Sequence, residues 1–205
     1  MAYTRCGGGG IKTIPFVLKQ NALTTGTNVE YEDDCYVNDI IVVYNFSYSA
    51  TDGYATPVTG CELVDTFYVG YNDQHHPITV LRATANHIKF KIVNAYIAGV
   101  YTIFSKAGKS ISTTIQAIST DGSRRTVTKS INSKKDNVIV VPHHYNTNSP
   151  STAITITYSG MDFMSDPIMI GNGNILRIAG YRGNTDSGSS ITVANFEVGK
   201  YILLQ

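Results

Sequence analysis

The sequence predicts an all-β protein, two tandem β-sandwiches behind an extended N-terminal arm. Three observations predict it. β-branched aliphatics dominate, with 22 Ile and 17 Val against 7 Leu and 13 Ala. Such side chains lose freedom in a helix and pack well on a pleated surface. Another 23 Thr and 14 Tyr push the same way. Short apolar runs, broken by Gly, Asn, Asp and Pro, then recur at strand-and-turn spacing along the whole chain. No window carries the Leu/Ala/Glu/Lys mixture of an amphipathic helix.

Composition bounds the rest. Apolar residues make up 42%, enough to fill ordinary cores, while charged residues are only 15%. An average domain has about 25% charged residues, so Thr, Ser and Asn must supply the polar surface here. Residues 1–107 carry 7 basic and 9 acidic side chains, and residues 108–205 carry 9 and 6. That asymmetry is too small for a nucleic-acid footprint, and no nucleic-acid partner is expected. No apolar run reaches the roughly 18 residues of a membrane span, and the first residues lack a secretory h-region. Cys6, Cys35 and Cys61 are an odd number without metal-site spacing. They read as free thiols, with a Cys35–Cys61 disulfide as the alternative.

Strands are expected in the first unit (13–107) at 14–18, 29–31, 40–47, 62–69, 78–83, 87–93 and 100–104. In the second unit (108–205) they are expected at 111–118, 124–131, 138–141, 153–158, 168–170, 175–179, 191–196 and 201–204. Asp121-Gly122 reads as a hairpin turn, since both central positions of a type I′ turn want positive φ. Pro142 should end the ladder it follows. The second unit reads as a duplication of the first. Tyr48-Ser49 and Gly70-Tyr71 recur 110 positions on as Tyr158-Ser159 and Gly180-Tyr181. Tyr96, Gly99 and Tyr101 recur 100 positions on as Phe196, Gly199 and Tyr201. A connection about ten residues shorter in the second unit would reconcile the two spacings.

Residues 1–12 stand apart as a glycine-rich arm. Ordering a dozen backbone residues costs roughly 10–20 kcal/mol at 1–2 kcal/mol each. A neighbouring subunit is the expected source of such contacts, and a strap over the arm's own domain is the alternative. Arg5, Cys6, Gly7, Gly8, Gly9, Gly10 and Ile11 are the candidate partner-binding residues, because glycine lets backbone approach backbone along a sheet edge.

Side-chain chemistry is sparse. No nucleophile elbow, phosphate loop, dinucleotide fingerprint or paired-His zinc helix appears, and no catalytic residue, cofactor or metal site is expected. Gly171-Asn172-Gly173-Asn174 reads as a tight turn. His75-His76 and His143-His144 read as exposed loop residues. Glu30, Glu32, Asp33 and Asp34 read as a solvated turn before a strand at 35–37. Tyr44, Phe46 and Tyr48 share one face of a strand, expected to be core.

The start Arg5 to Ile11 and the endings Ala98-Gly99-Val100-Tyr101-Thr102-Ile103 and Val198-Gly199-Lys200-Tyr201-Ile202-Leu203 resemble structural proteins of tailed-bacteriophage virions. The endings are similar to the last strand of immunoglobulin-like domains in such proteins. The resemblance implies immunoglobulin-like sandwiches and a tail, baseplate, fibre or capsid-surface component. It also implies a homo-oligomer with other virion proteins as partners, assembled in the host cytoplasm. The alternative is an adhesin for a host glycan or receptor, presenting 52–60 and 181–190. An enzyme is not expected: nothing among 11 Asp and 4 Glu selects a catalytic pair.

Overall fold

The computed structural model describes residues 16–22, 28–46, 53–71, 74–93, 97–120, 125–146, 155–164, 168–170, 174–196 and 198–205. These residues form strands and turns only, and no helix among them is long and apolar enough to cross a membrane. The arm residues Arg5 to Ile11 lie outside them.

The first half contributes β1 (Val17–Ala22), β2 (Val29–Asp34), β3 (Ile40–Phe46), β4 (Ala55–Thr59), β5 (Cys61–Tyr71), β6 (Gln74–Ala83), β7 (His87–Ile92) and β8 (Ile97–Ser105). The second contributes β9 (Thr113–Ser119), β10 (Arg125–Ile131), β11 (Val138–Asn146), β12 (Thr155–Ser159), β13 (Met161–Phe163), β14 (Ile168–Ile170), β15 (Asn174–Gly183), β16 (Ser189–Phe196) and β17 (Gly199–Leu204). The first half orders its strands β1-β8-β3-β6-β5 and β2-β7-β4. The second repeats this as β13-β15-β11-β17-β9, with β14 also on β15, and β10-β16-β12.

This order departs from the immunoglobulin one, where the second strand lies beside the first and fifth. Here the first strand pairs with the eighth, the second with the seventh and the third with the sixth. Each half is one long hairpin folded over on itself. Asp121-Gly122 lies outside the described residues, but the strands on either side do not form the expected hairpin: β9 pairs β17 while β10 pairs β16.

Register corrects the spacing of the repeat. Ile40 faces Arg82, and Val138 faces Arg182. Cys61 faces Ala83, and Met161 faces Gly183. Gly60 and Gly160 both turn with positive φ, 66° and 68°. The halves therefore match 100 positions apart from β4 to β6, and Gly180 answers Val80 rather than Gly70. The 110 spacing came from turn residues that any β protein reuses. No ten-residue connection is missing.

Alternation decides what each face buries. In β3, Ile41 and Val43 pack with Leu81, Ile103, Ile88 and Phe90 between the first half's two sheets. Ile40, Val42 and Tyr44 point the other way, into a cluster with Val138, Val140, Ile202 and Leu204 of the second half. The second half thus shares a continuous core with the first. A reciprocal clamp closes the seam: Arg82 Nη1 donates to the Ile111 carbonyl at 3.1 Å, and Arg182 Nη2 to the Phe16 carbonyl at 2.9 Å. Ile111 and Phe16 each precede their half's first strand, and both are buried.

Pro57 lies on the edge strand β4, and the two prolines inside longer strands, Pro77 and Pro142, sit where one ladder ends. β11 keeps pairing β15 through Pro142, but its pairing with β17 stops at Val140. β6 keeps pairing β5 through Pro77, but its pairing with β3 stops at Ile78. A residue without an N–H fits where no acceptor waits. Pro142 therefore ends one ladder and leaves the strand intact. His76 and His143 lie in these strands and are buried, contrary to the expected exposed loops. Their strands alternate, so one histidine of each pair must face inward.

Candidate functional site

The acidic segment is a strand rather than a turn. Along β2, Glu30, Glu32 and Asp34 face outward opposite Lys91, Lys89 and His87 of β7. Lys89 Nζ lies 3.4 Å from Glu30 and 3.5 Å from Glu32, and His87 Nδ1 lies 2.8 Å from Asp34 Oδ1. The Asp34 hydrogen bond, with the nearby Glu32 charge, raises the His87 pKa. Asp33 points inward and is buried. Lys19 Nζ and Asn21 Nδ2 of β1 both donate to it, the latter at 2.7 Å, and Tyr101 Oη donates to it at 2.9 Å. Asp33 therefore ties the two sheets together at their open edge. Burial and the Asp33 carboxylate push the Tyr101 phenol well up.

Past Asp34 the chain turns tightly. Cys35 N–H donates to Asn86 O, Asn38 N–H to Ala83 O, and Asp39 N–H to Tyr36 O. Asn38 takes positive φ, 76°, which asparagine tolerates better than most residues. Tyr36 N–H returns a bond to Asp39 Oδ2 at 2.9 Å. The turn expected as a strand at 35–37 is thus held by the β6–β7 corner. Two cavities flank it. One of 340 Å³ is lined by Val17, Lys19, Tyr36, Asp39, Ile103 and Ser105 among others. The other, of 550 Å³, shares Asp34, Cys35 and Tyr36 and adds Asn86 and His87.

Asp39 is the unusual member. It is 1% exposed, and its Oδ1 has no hydrogen-bond partner. Burial raises its pKa, against the lowering pull of the Tyr36 amide and Ser105 hydroxyl. Sequence reasoning missed it, because a lone Asp after Val-Asn reads as turn chemistry.

Cys35 and Cys61 are free thiols, each donating to a carbonyl, of Ala85 and Lys89 respectively. Burial and the nearby Asp39 and Asp33 charges push the Cys35 thiol up to about 11, which leaves it a poor nucleophile. Among the described residues no three His, Cys, Asp or Glu side chains converge to hold a metal ion. Tyr44 is core as expected, while Phe46's side chain and all of Tyr48 lie outside the described residues.

A third cavity of 360 Å³ lies at the seam between halves. Tyr54, Phe67, Tyr68, Ser119, Thr120 and Lys200 line it. Lys200 Nζ sits 3.2 Å from Asp65 Oδ2 and 5.2 Å from the centre of the Phe67 ring. Of the two loops expected to present a ligand surface, 52–60 is largely strand β4, and 181–190 begins inside β15. Compared with known protein families, curated proteins and solved structures, the chain matches none.

Proposed function

We propose that the protein is a structural component of a bacteriophage virion that docks through its N-terminal arm on a neighbouring subunit. One observation carries the reading: large apolar side chains stay exposed at matching places in both halves. Val58 and Leu63 flank Gly60, and Tyr158 and Phe163 flank Gly160. Apolar surface kept in the same place twice is surface meant to be covered. The nested wrap, of eight strands in the first half and nine in the second, adds support by analogy, since jelly rolls build viral shells and also lectins. The shared core and the arginine clamp make the two halves a stiff block, suited to bearing contacts on several sides.

The test is assembly. Light scattering after size exclusion should give an oligomer, and limited proteolysis should find the arm protected within it. A monomer at high concentration whose arm is cut freely sinks the reading. A second reading, an adhesin for a host glycan or receptor, draws on the seam cavity. Tyr54 and Tyr68 offer rigid faces with polar tips, and Ser119, Thr120 and Lys200 offer hydrogen bonds. Glycan-array binding lost in Tyr54→Ala and Tyr68→Ala would favour it.

A further inference from the structure

We infer that the cavity at the seam binds an uncharged sugar residue, a neutral hexose or N-acetylhexosamine at the end of a glycan. The inference rests on the adhesin reading and deepens it by naming the ligand's chemistry. Both halves build the cavity. Tyr54, Thr66 and Tyr68 come from the first, and Ser119, Thr120 and Lys200 from the second. Its walls are pinned to each other: Gly70 N–H donates to the Val198 carbonyl at 3.0 Å, and Lys200 Nζ reaches Asp65 Oδ2. Its base is fixed as well. Phe67 is buried, and a Cβ on Gly199 would sit 2.5 Å from Phe196 Cζ, so the backbone there lies tight against the core. A preformed cavity spares its ligand the cost of ordering the site.

The lining selects the ligand class. Five of its side chains end in a hydroxyl: Tyr54, Thr66, Tyr68, Ser119 and Thr120. A hydroxyl both donates and accepts, so this lining suits a ligand whose own groups do both. Sugar hydroxyls do. Burial raises the Tyr54 pKa and the Tyr68 phenol adds to it, which sets the two phenols near each other. Their rings, with that of Phe67, give apolar area for the C–H face of a pyranose. Charge argues against an acidic sugar. Lys200 is the one charged residue among the described residues of the lining, and Asp65, outside it, neutralises its ammonium. The volume of 360 Å³ lies at the small end of ligand pockets, about 300–1,000 Å³, which limits the occupant to a short saccharide.

The experiment titrates the isotope-labelled full-length chain with methyl glycosides of neutral hexoses and N-acetylhexosamines, and with methyl glucuronide as the acidic counterpart. Amide shifts in the NMR spectrum report both affinity and place. A neutral glycoside should shift the amides of 66–68, 119–120 and 199–200, and methyl glucuronide should bind about 10-fold more weakly, having no free counter-charge. Tyr54→Phe and Tyr68→Phe keep the rings and remove a hydroxyl each. Each should weaken the neutral glycoside about 3- to 10-fold, the span of a neutral hydrogen bond. Asp65→Asn leaves the Lys200 ammonium unmatched, so it should raise the affinity for glucuronide relative to the neutral glycoside about 3- to 5-fold. Circular dichroism checks that each variant folds, and the wild-type shift map decides the site where one does not. Shifts confined to other amides, or both Tyr→Phe variants binding as tightly as wild type, overturn the site. Glucuronide binding more tightly than every neutral glycoside overturns the neutral class. A glycan array run on the wild-type chain separates these failures from that of the adhesin reading. With no shift from any glycoside, an array that still binds overturns this inference alone, and an empty array overturns the adhesin reading as well.

Discussion

The outer sheets of the two halves share a strand order and differ in chemistry. In β2–β7–β4 the outward pairs are ionic, with Glu30, Glu32 and Asp34 opposite Lys91, Lys89 and His87. In β10–β16–β12 they are hydroxyls. Thr128 bonds Thr192 at 2.8 Å and Ser159 bonds Ser190 at 2.9 Å. Cross-strand pairs of either kind contribute similar small amounts. The fold therefore constrains the inward positions, and the outward ones are free to specialise. The ion pairs of the first half's outer sheet should weaken with salt and the His87 contact should follow pH, whereas the hydroxyl pairs of the second carry no charge.

Paired substitutions break this comparison, beginning with the core. Phe90→Ala and Phe196→Ala should each cost about 3–5 kcal/mol in denaturant unfolding. Phe90 packs only within the first half, so hydrogen exchange should rise there alone. Phe196 belongs to the cluster spanning both halves, so its loss should raise exchange in both. Exchange confined to the second half in Phe196→Ala would mean that the halves are energetically separate.

The turn glycines come next. A Cβ on Gly60 would sit 2.0 Å from the His87 carbonyl oxygen, and one on Gly160 2.8 Å from that of Gly188. Positive φ alone costs roughly 1–2 kcal/mol for a side chain. Gly60→Ala should exceed that range and Gly160→Ala should stay near it, as read from chemical denaturation midpoints. The clamp should behave symmetrically: Arg82→Ala and Arg182→Ala should each lose about 1.5–3 kcal/mol, the range for a bond from a charged donor. A large loss for one and none for the other would break the pseudo-symmetry.

Tyr101 and Tyr201 are equivalent by register, facing Asn21 and Gln116. Tyr101 donates to a buried carboxylate, and Tyr201 donates to the Gln116 amide oxygen. Tyr101→Phe should cost about 1.5–3 kcal/mol and Tyr201→Phe about 0.5–1.5 kcal/mol. The smallest effect is that of His87. Its pKa is raised above 6.5 in the fold, so folding takes up protons as pH falls through that region. Its contribution is complete below 6.5 and is lost as pH rises through the raised value. Melting temperatures of wild type and His87→Ala should differ at pH 5.5 and converge at pH 9. No such convergence should accompany Thr128→Val in the second half.

Most strands were legible because their signal is local. β2 was legible only at its start, 29–31, because the carboxylates that follow read as a turn, although the burial of Val29 to Asp33 alternates along the strand. Ile40 to Tyr44 carry no polar break, and that strand is buried on both faces. β4 was missed because Pro57 and the flanking glycines read as turn, although an edge strand accommodates proline. β13 was missed because three residues carry no period. The site was illegible in a different way. Asp39, Lys19 and the pair Ile103 and Ser105 come from three separate stretches of chain, and only the nesting of the first strand against the eighth brings them to one cavity.

The sequence by itself determined the all-β class and most of the strand content, since β-branched residues and turn residues act within a few positions of themselves. Tertiary structure alone decided which strand lies beside which, that the repeat spacing is 100, and that the two halves share a core. Those depend on contacts between residues far apart in the chain, where loop closure costs nearly the same for many alternatives and only the packed whole selects one.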